Sequence, residues 1–134
     1  ADERTVQALR GYGYNLGMAF QVVDDILDVR GSREAIGKPV GNDLLQGVVT
    51  LPLLTYMKRH PEDTSIAEFF ANPEDRDPAR RVIEEARAPE IIDEAYALAH
   101  EKCDEARHCL STLPDTVERR SLLDLVDYVI ARDR

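Results

Sequence analysis

Nine residues, Phe20-Gln21-Val22-Val23-Asp24-Asp25-Ile26-Leu27-Asp28, set three carboxylates into an otherwise apolar run. Apolar side chains at Val6, Leu9, Leu16, Phe20, Val23 and Leu27 keep helical intervals, which predicts one long helix from about Glu3 to Arg30. On that helix Asp24 and Asp28 form an i, i+4 pair, Asp25 lies three residues before Asp28, and Gln21 sits one turn before Asp24 and Asp25. Like charges at such spacing repel by roughly 0.2–0.5 kcal/mol per pair. The flanking Val22, Val23, Ile26, Leu27 and Val29 bring a packed surface close, and the cost rises there. A divalent cation would remove the penalty. Donors that are all oxygen favour a hard ion, and Mg²⁺ takes one or two protein carboxylates and fills its octahedron with water and phosphate. An acidic helix face turned to water has the same spacing, so the spacing alone leaves both readings open.

The segment that follows, Ile36 to Pro52, favours the metal. It is a Gly/Pro-rich turn carrying Lys38, with Asp43 at its end and Thr50-Leu51-Pro52 beyond. Gly37 and Gly41 permit backbone shapes that other residues resist, and Asp43 suits the N-cap of a following helix. A lysine on such a turn is a mobile point charge able to reach an anion held by the metal. Together these parts describe a site for a magnesium diphosphate.

At these residues the sequence resembles the trans-isoprenyl diphosphate synthases, the polyprenyl synthetase family. Phe-Gln-x-x-Asp-Asp-x-x-Asp is similar to that family's second aspartate-rich motif, and Gly37-Lys38-x-x-Gly41-x-Asp43-Leu44 and Thr50-Leu51-Pro52 follow in its order and spacing. Gly11-Tyr12-Gly13-Tyr14-Asn15-Leu16-Gly17 and the terminal Tyr128-Val129-Ile130-Ala131-Arg132 are similar as well. The likeness is dense from Gly11 to Pro52 and thin afterwards. It implies an all-α helical bundle of the isoprenoid synthase type, of which the 134 residues are expected to be the C-terminal half, a portion of a single domain. The family's first aspartate-rich motif, its basic residues for the second substrate and much of its prenyl pocket have no counterpart here, so that half is expected in cis or as a separate chain.

The resemblance also implies roles. Asp24 would ligate Mg²⁺ directly, with Asp25 and Asp28 ligating or orienting water and Asp43 adding a water-mediated contact. Lys38 would meet the allylic diphosphate, Gln21 would turn its amide dipole to the cation, and Phe20 would line the pocket. The implied reaction joins an allylic diphosphate to isopentenyl diphosphate, giving a longer polyprenyl diphosphate. The chain departs from the family at one position. Many members carry a second lysine just before Thr-Leu-Pro, where this chain has Val48. A variant enzyme, weaker binding, or a non-catalytic regulatory subunit of a prenyl synthase would each fit.

A net charge of −9 argues against nucleic acid or an anionic membrane as partner. No apolar run reaches the roughly 20 residues of a bilayer span. Cys103 and Cys109 stand six apart, on different sides of a helix, so a disulfide between them is not expected and a reduced, cytoplasmic protein is. By family likeness a homodimer is expected.

Along the rest of the chain no strand pattern arises. Asp43 to Arg59 reads as a second helix, started by Asp43 and broken or kinked near Val48 by Pro52, with Leu51, Leu53, Leu54 and Met57 as core. Ser65–Ala71, with a serine N-cap, and Pro78–Ala88 read as short helices. Glu90 to Leu113 reads as a long one, and the last runs from an Asp115 cap to about Arg132. Gly11, Gly13 and Gly17 read as places where another helix comes close, or where substrate needs room. His100, Asp104 and His108, at i, i+4 and i+8 with Cys103 beside them, could ligate a transition metal, but histidines on a charged surface are the commoner arrangement.

Overall fold

The computed structural model describes residues 2–31 and 41–132. Its elements are α1 (Glu3–Arg30), α2 (Asn42–Leu45), α3 (Leu51–Arg59), α4 (Ser65–Ala71), α5 (Asp77–Ala86), α6 (Pro89–Leu110) and α7 (Val117–Ala131), with no strand among the described residues. The all-α reading holds. Two compact units divide the chain: one comprises residues up to Val23 with Ala97–Arg132, the other Asp24–Tyr96. Both α1 and α6 contribute a length to each unit.

In the first unit the buried face of α1 meets the apolar stripe of the sequence only at Val23. Tyr12, Asn15 and Ala19 are buried, whereas Val6, Leu9 and Phe20 are 38–44% exposed. The reason is close packing with hydrogen bonding. The Tyr12 hydroxyl donates to Leu122 O at 2.8 Å, and Asn15 satisfies its own amide on Gly11 O at 2.9 Å. A methyl group at Gly11 would come within 2.7 Å of Cys109 Sγ, so here the glycine serves close approach. Gly13 and Gly17 face open space among the described residues. Along α6, Ala99, Cys103, Ala106 and Leu110 form the buried row. Arg107 ties α6 to α7, donating to Asp104 Oδ1 and Asp127 Oδ1, each at 2.8 Å. Thr116, not Asp115, caps α7: its Oγ1 accepts from Arg119 N at 3.2 Å, while Asp115 pairs with Arg120.

The second unit is built on Leu44, Leu53, Tyr56, Ile66, Phe69, Val82, Ile83 and Ile91, with Ala79 and Ala86 filling the close contacts. Leu53 is core as expected, but Leu54 (51% exposed) and Met57 (38%) are not. The expected helix 43–59 is two helices. Asp43 lies within the first turn of α2, and its N-cap is Gly41, at φ 73°. Gly41 is required twice over, since a Cβ there would overlap the Ile83 side chain. Pro52 then sits in the first turn of α3, where its missing N–H costs nothing. Asp63, not Ser65, supplies the acceptor at the start of α4, taking the Ser65 N–H on Oδ1 at 2.8 Å.

Candidate functional site

The three carboxylates occupy the last two turns of α1, and each is half-buried. Beneath them Val22, Val23, Ile26, Leu27 and Val29 are buried, so the acids stand at the rim of a packed surface. Two later helices begin against them. The Asp43 N–H in the first turn of α2 donates to Asp28 Oδ2, and the Leu51 N–H at the start of α3 donates to Asp25 Oδ2, both at 3.4 Å. The main chain secures the first approach, with Gly41 N–H on Asp28 O at 3.0 Å. Exposed helix N–H groups favour a carboxylate oxygen beside them, as at Asp25 and Asp28.

The C-terminal end of α1 is anchored within the second unit. Arg87 Nη2 donates to Arg30 O at 3.4 Å, and Arg30 Nη1 reaches Tyr96 Oη at 3.5 Å. A cation at a helix C-terminus complements the dipole. These contacts fix the end of the helix that carries Asp24, Asp25 and Asp28.

Asp43 is half-buried, one residue into α2. Gln21 is exposed one turn before Asp24. Phe20 is 44% exposed, and the Arg132 guanidinium lies over its ring at 4.4 Å from the centroid, an arrangement that stabilises a cation. Lys38 and the turn that carries it lie outside the described residues. Val48 is 52% exposed, with its N–H on Asp43 O at 2.8 Å.

Among the described residues no group of three or more His, Cys, Asp or Glu side chains is placed to hold a metal ion. The donor set nevertheless suits Mg²⁺, which needs one or two carboxylates and draws its remaining oxygens from water and phosphate. Asp24 and Asp28, one turn apart, meet that requirement. The rival trio does not. His100, Asp104 and His108 are exposed and border a groove of about 770 Å³, in which Asp104 is already paired with Arg107. Burial pushes the Cys103 thiol above its ordinary range, away from the thiolate a metal requires. Both cysteines are free.

Sequence reasoning gave no role to Thr50, Arg87 or Arg132. Arg132 had a signal, since it ends a stretch similar to the family's terminus. Arg87 had none, because its partner is a backbone carbonyl 57 residues away.

The sequence profile described as polyprenyl synthetase matches residues 1–86. The chain belongs to the polyprenyl synthetase family. It is 40% identical over 133 residues to heptaprenyl diphosphate synthase component 2 of Geobacillus stearothermophilus, covering 99% of this chain and 41% of that one. A prenyl transferase of Synechocystis is 41% identical over 122 residues, covering 90% and 37%. In structure, the polyprenyl synthase of Caulobacter crescentus, solved with calcium and isoprenyl diphosphate, matches all of this chain at a TM-score of 0.84 and 33% identity. The chain covers 42% of that structure. It therefore has the all-α isoprenoid synthase fold over less than half the length of these relatives. None of the helices among the described residues is long and apolar enough to cross a membrane.

Proposed function

We propose that this polyprenyl synthetase chain furnishes the second aspartate-rich part of a magnesium-dependent prenyltransferase site, which joins an allylic diphosphate to isopentenyl diphosphate. The observation that carries this reading is the meeting at Asp25 and Asp28 of a carboxylate run with two helix starts. That arrangement holds acids in place at the edge of a core, and it occurs in a family whose relatives are prenyl diphosphate synthases. The calcium and isoprenyl diphosphate reported with the Caulobacter relative support the ligand class.

In this reading Asp24 and Asp28 hold the ion. When bound, Mg²⁺ supplies positive charge against the negative charge that grows on the departing diphosphate. Asp43 orients water from the first turn of α2, Lys38 meets the diphosphate as a second cation, and Gln21 turns its amide oxygen to the positive centre. Phe20 presents an apolar face to the prenyl group. The remaining cavity, with the first aspartate-rich motif, comes from polypeptide beyond these residues, in cis or from a partner chain.

The chain by itself is expected to condense nothing, and Mg²⁺-dependent condensation should arise when a polypeptide bearing the first motif is supplied. Replacing Asp24 by Asn should then lower the rate by at least about a hundredfold, as loss of a ligand to transition-state charge does. Condensation by the isolated chain, or full activity in D24N, would sink the proposal.

Val48 favours a second reading, a non-catalytic subunit that pairs with a complete synthase. The relative named as a heptaprenyl synthase component points the same way. A partner that retains full activity when this chain carries D24N would favour the subunit.

A further inference from the structure

Thr50 opens α3 with the backbone of an N-cap residue, φ −98° and ψ 174°, yet its side chain makes no capping hydrogen bond. The residue is 6% exposed, and its hydroxyl oxygen is buried without a partner. A threonine in this position ordinarily offers that oxygen to an N–H two or three residues on. A buried hydroxyl left idle loses its bonds to water and gains none. The acceptor comes instead from 26 residues earlier in the chain, where Asp25 Oδ2 takes the Leu51 N–H at 3.4 Å.

We infer that Asp25 is a positioning residue, a cap lent by α1 that fixes the start of α3 and the Val48–Thr50 turn leading into it. A carboxylate outcompetes a hydroxyl at this place because its full charge acts on every exposed N–H of the first turn and on the helix dipole. The length of the bond fits that account, since attraction to the helix end falls off more slowly than a directed hydrogen bond. Asp28 differs from Asp25 in this respect. Its side chain also meets a helix start, but Gly41 N–H on its main-chain oxygen holds that approach independently. The division of labour among the three acids rests on the proposed function; the cap itself does not.

The test uses the 134-residue chain with D25N, D25A, T50V and the double variant D25A/T50V. The readouts are the thermal midpoint and the exchange rate of the Leu51 amide, each with and without Mg²⁺. Asparagine keeps the acceptor but not the charge, so D25N should fall between the parent and D25A, which loses roughly 3–6 °C. T50V alone should be neutral or slightly stabilising. Added to D25A it should lower the midpoint further, because Thr50 is then the acceptor left to α3. The Leu51 amide should exchange at least about tenfold faster in D25A than in the parent, and its rate in the parent should be unmoved by Mg²⁺. An unchanged midpoint and amide in D25A would overturn the cap. A Leu51 amide freed by Mg²⁺ in the parent would show that Asp25 leaves α3 to ligate the ion, which overturns the positioning role. Should Mg²⁺ added together with inorganic diphosphate perturb no amide of the acid run, the functional proposal fails while the D25A comparison still decides the cap.

Discussion

Tyr56 donates its phenolic proton to Asp63 across the turn that follows α3. The same carboxylate takes the Ser65 N–H on its other oxygen, so one acid closes the turn and starts α4. Hydrogen bonds from Ser65, then the one from Tyr56, hold Asp63 below the ordinary carboxylate range. Tyr56 is pushed up to about 12, chiefly by its bond to Asp63 and then by burial. A depressed carboxylate adds stability that is whole above its unfolded pKa of 3.8 and is lost as pH falls through the lower folded value. A raised phenol adds stability that is whole below 10 and gone above about 12. Replacing Tyr56 by Phe should therefore cost about 1–2 kcal/mol near neutral pH. It should also move the acid loss of stability to higher pH and remove part of the decline above pH 10. Urea midpoints of the two proteins across pH would check all three effects.

Gly41 meets two separate demands, a left-handed backbone and an unobstructed approach to Ile83. Alanine there combines backbone strain of about 1–2 kcal/mol with overpacking of similar size, so G41A should lose about 2–4 kcal/mol. Measured against I83A alone, adding Ile83→Ala to G41A would return the packing part and leave the backbone part. A chemical-denaturation series on the three variants separates them, and a G41A protein as stable as the parent would contradict the geometry.

The three glycines of α1 should respond differently to the same substitution. Gly13 and Gly17 face open space, so alanine should gain roughly 0.5–1 kcal/mol from helix propensity alone. At Gly11 the added methyl meets Cys109 Sγ at 2.7 Å, which should cancel or reverse that gain. In a C109A background G11A should recover it, giving a coupling of about 1 kcal/mol in the double-mutant cycle. If G17A also abolished diphosphate-dependent activity in the assembled enzyme while raising stability, the open space there would belong to the substrate.

The length and limits of α1 were legible because its apolar side chains keep helical intervals. Its buried face was legible only at Val23 and Leu27. A helix with apolar residues on more than one side can pack by any of them, and here Tyr12, Asn15 and Ala19 won through a hydroxyl bond and small size. The acid run was legible as carboxylates set beside a packed surface, which is where the structure has them. What sequence could not supply was the meeting of Asp25 with Leu51 and of Asp28 with Asp43, which depends on where the chain returns after the turn. The caps at Thr116 and Asp63 escaped for a related reason. Adjacent Asp, Thr and Ser residues all qualify as acceptors, and the backbone dihedrals decide among them.

Val48 offers the most direct test of whether the turn before α3 faces bound diphosphate. Its side chain is 52% exposed, so a lysine can stand there without burying charge, and its backbone N–H stays on Asp43 O whatever the side chain. Stability should consequently change by no more than about 0.5 kcal/mol. If the turn faces the anion, V48K adds a charge-assisted contact worth roughly 1–2 kcal/mol, a gain of about 5–30-fold in affinity for inorganic diphosphate with Mg²⁺ present. Because a single charge pair is screened, the gain should shrink as salt rises. Titration calorimetry of V48K beside the parent measures both. The same titration in a D24N background should lose most of the gain, since the lysine then finds no anion held in place. A V48K protein that binds diphosphate no better than its parent would mean that the turn faces away from the acid run, and Val48 would then no longer favour a regulatory subunit.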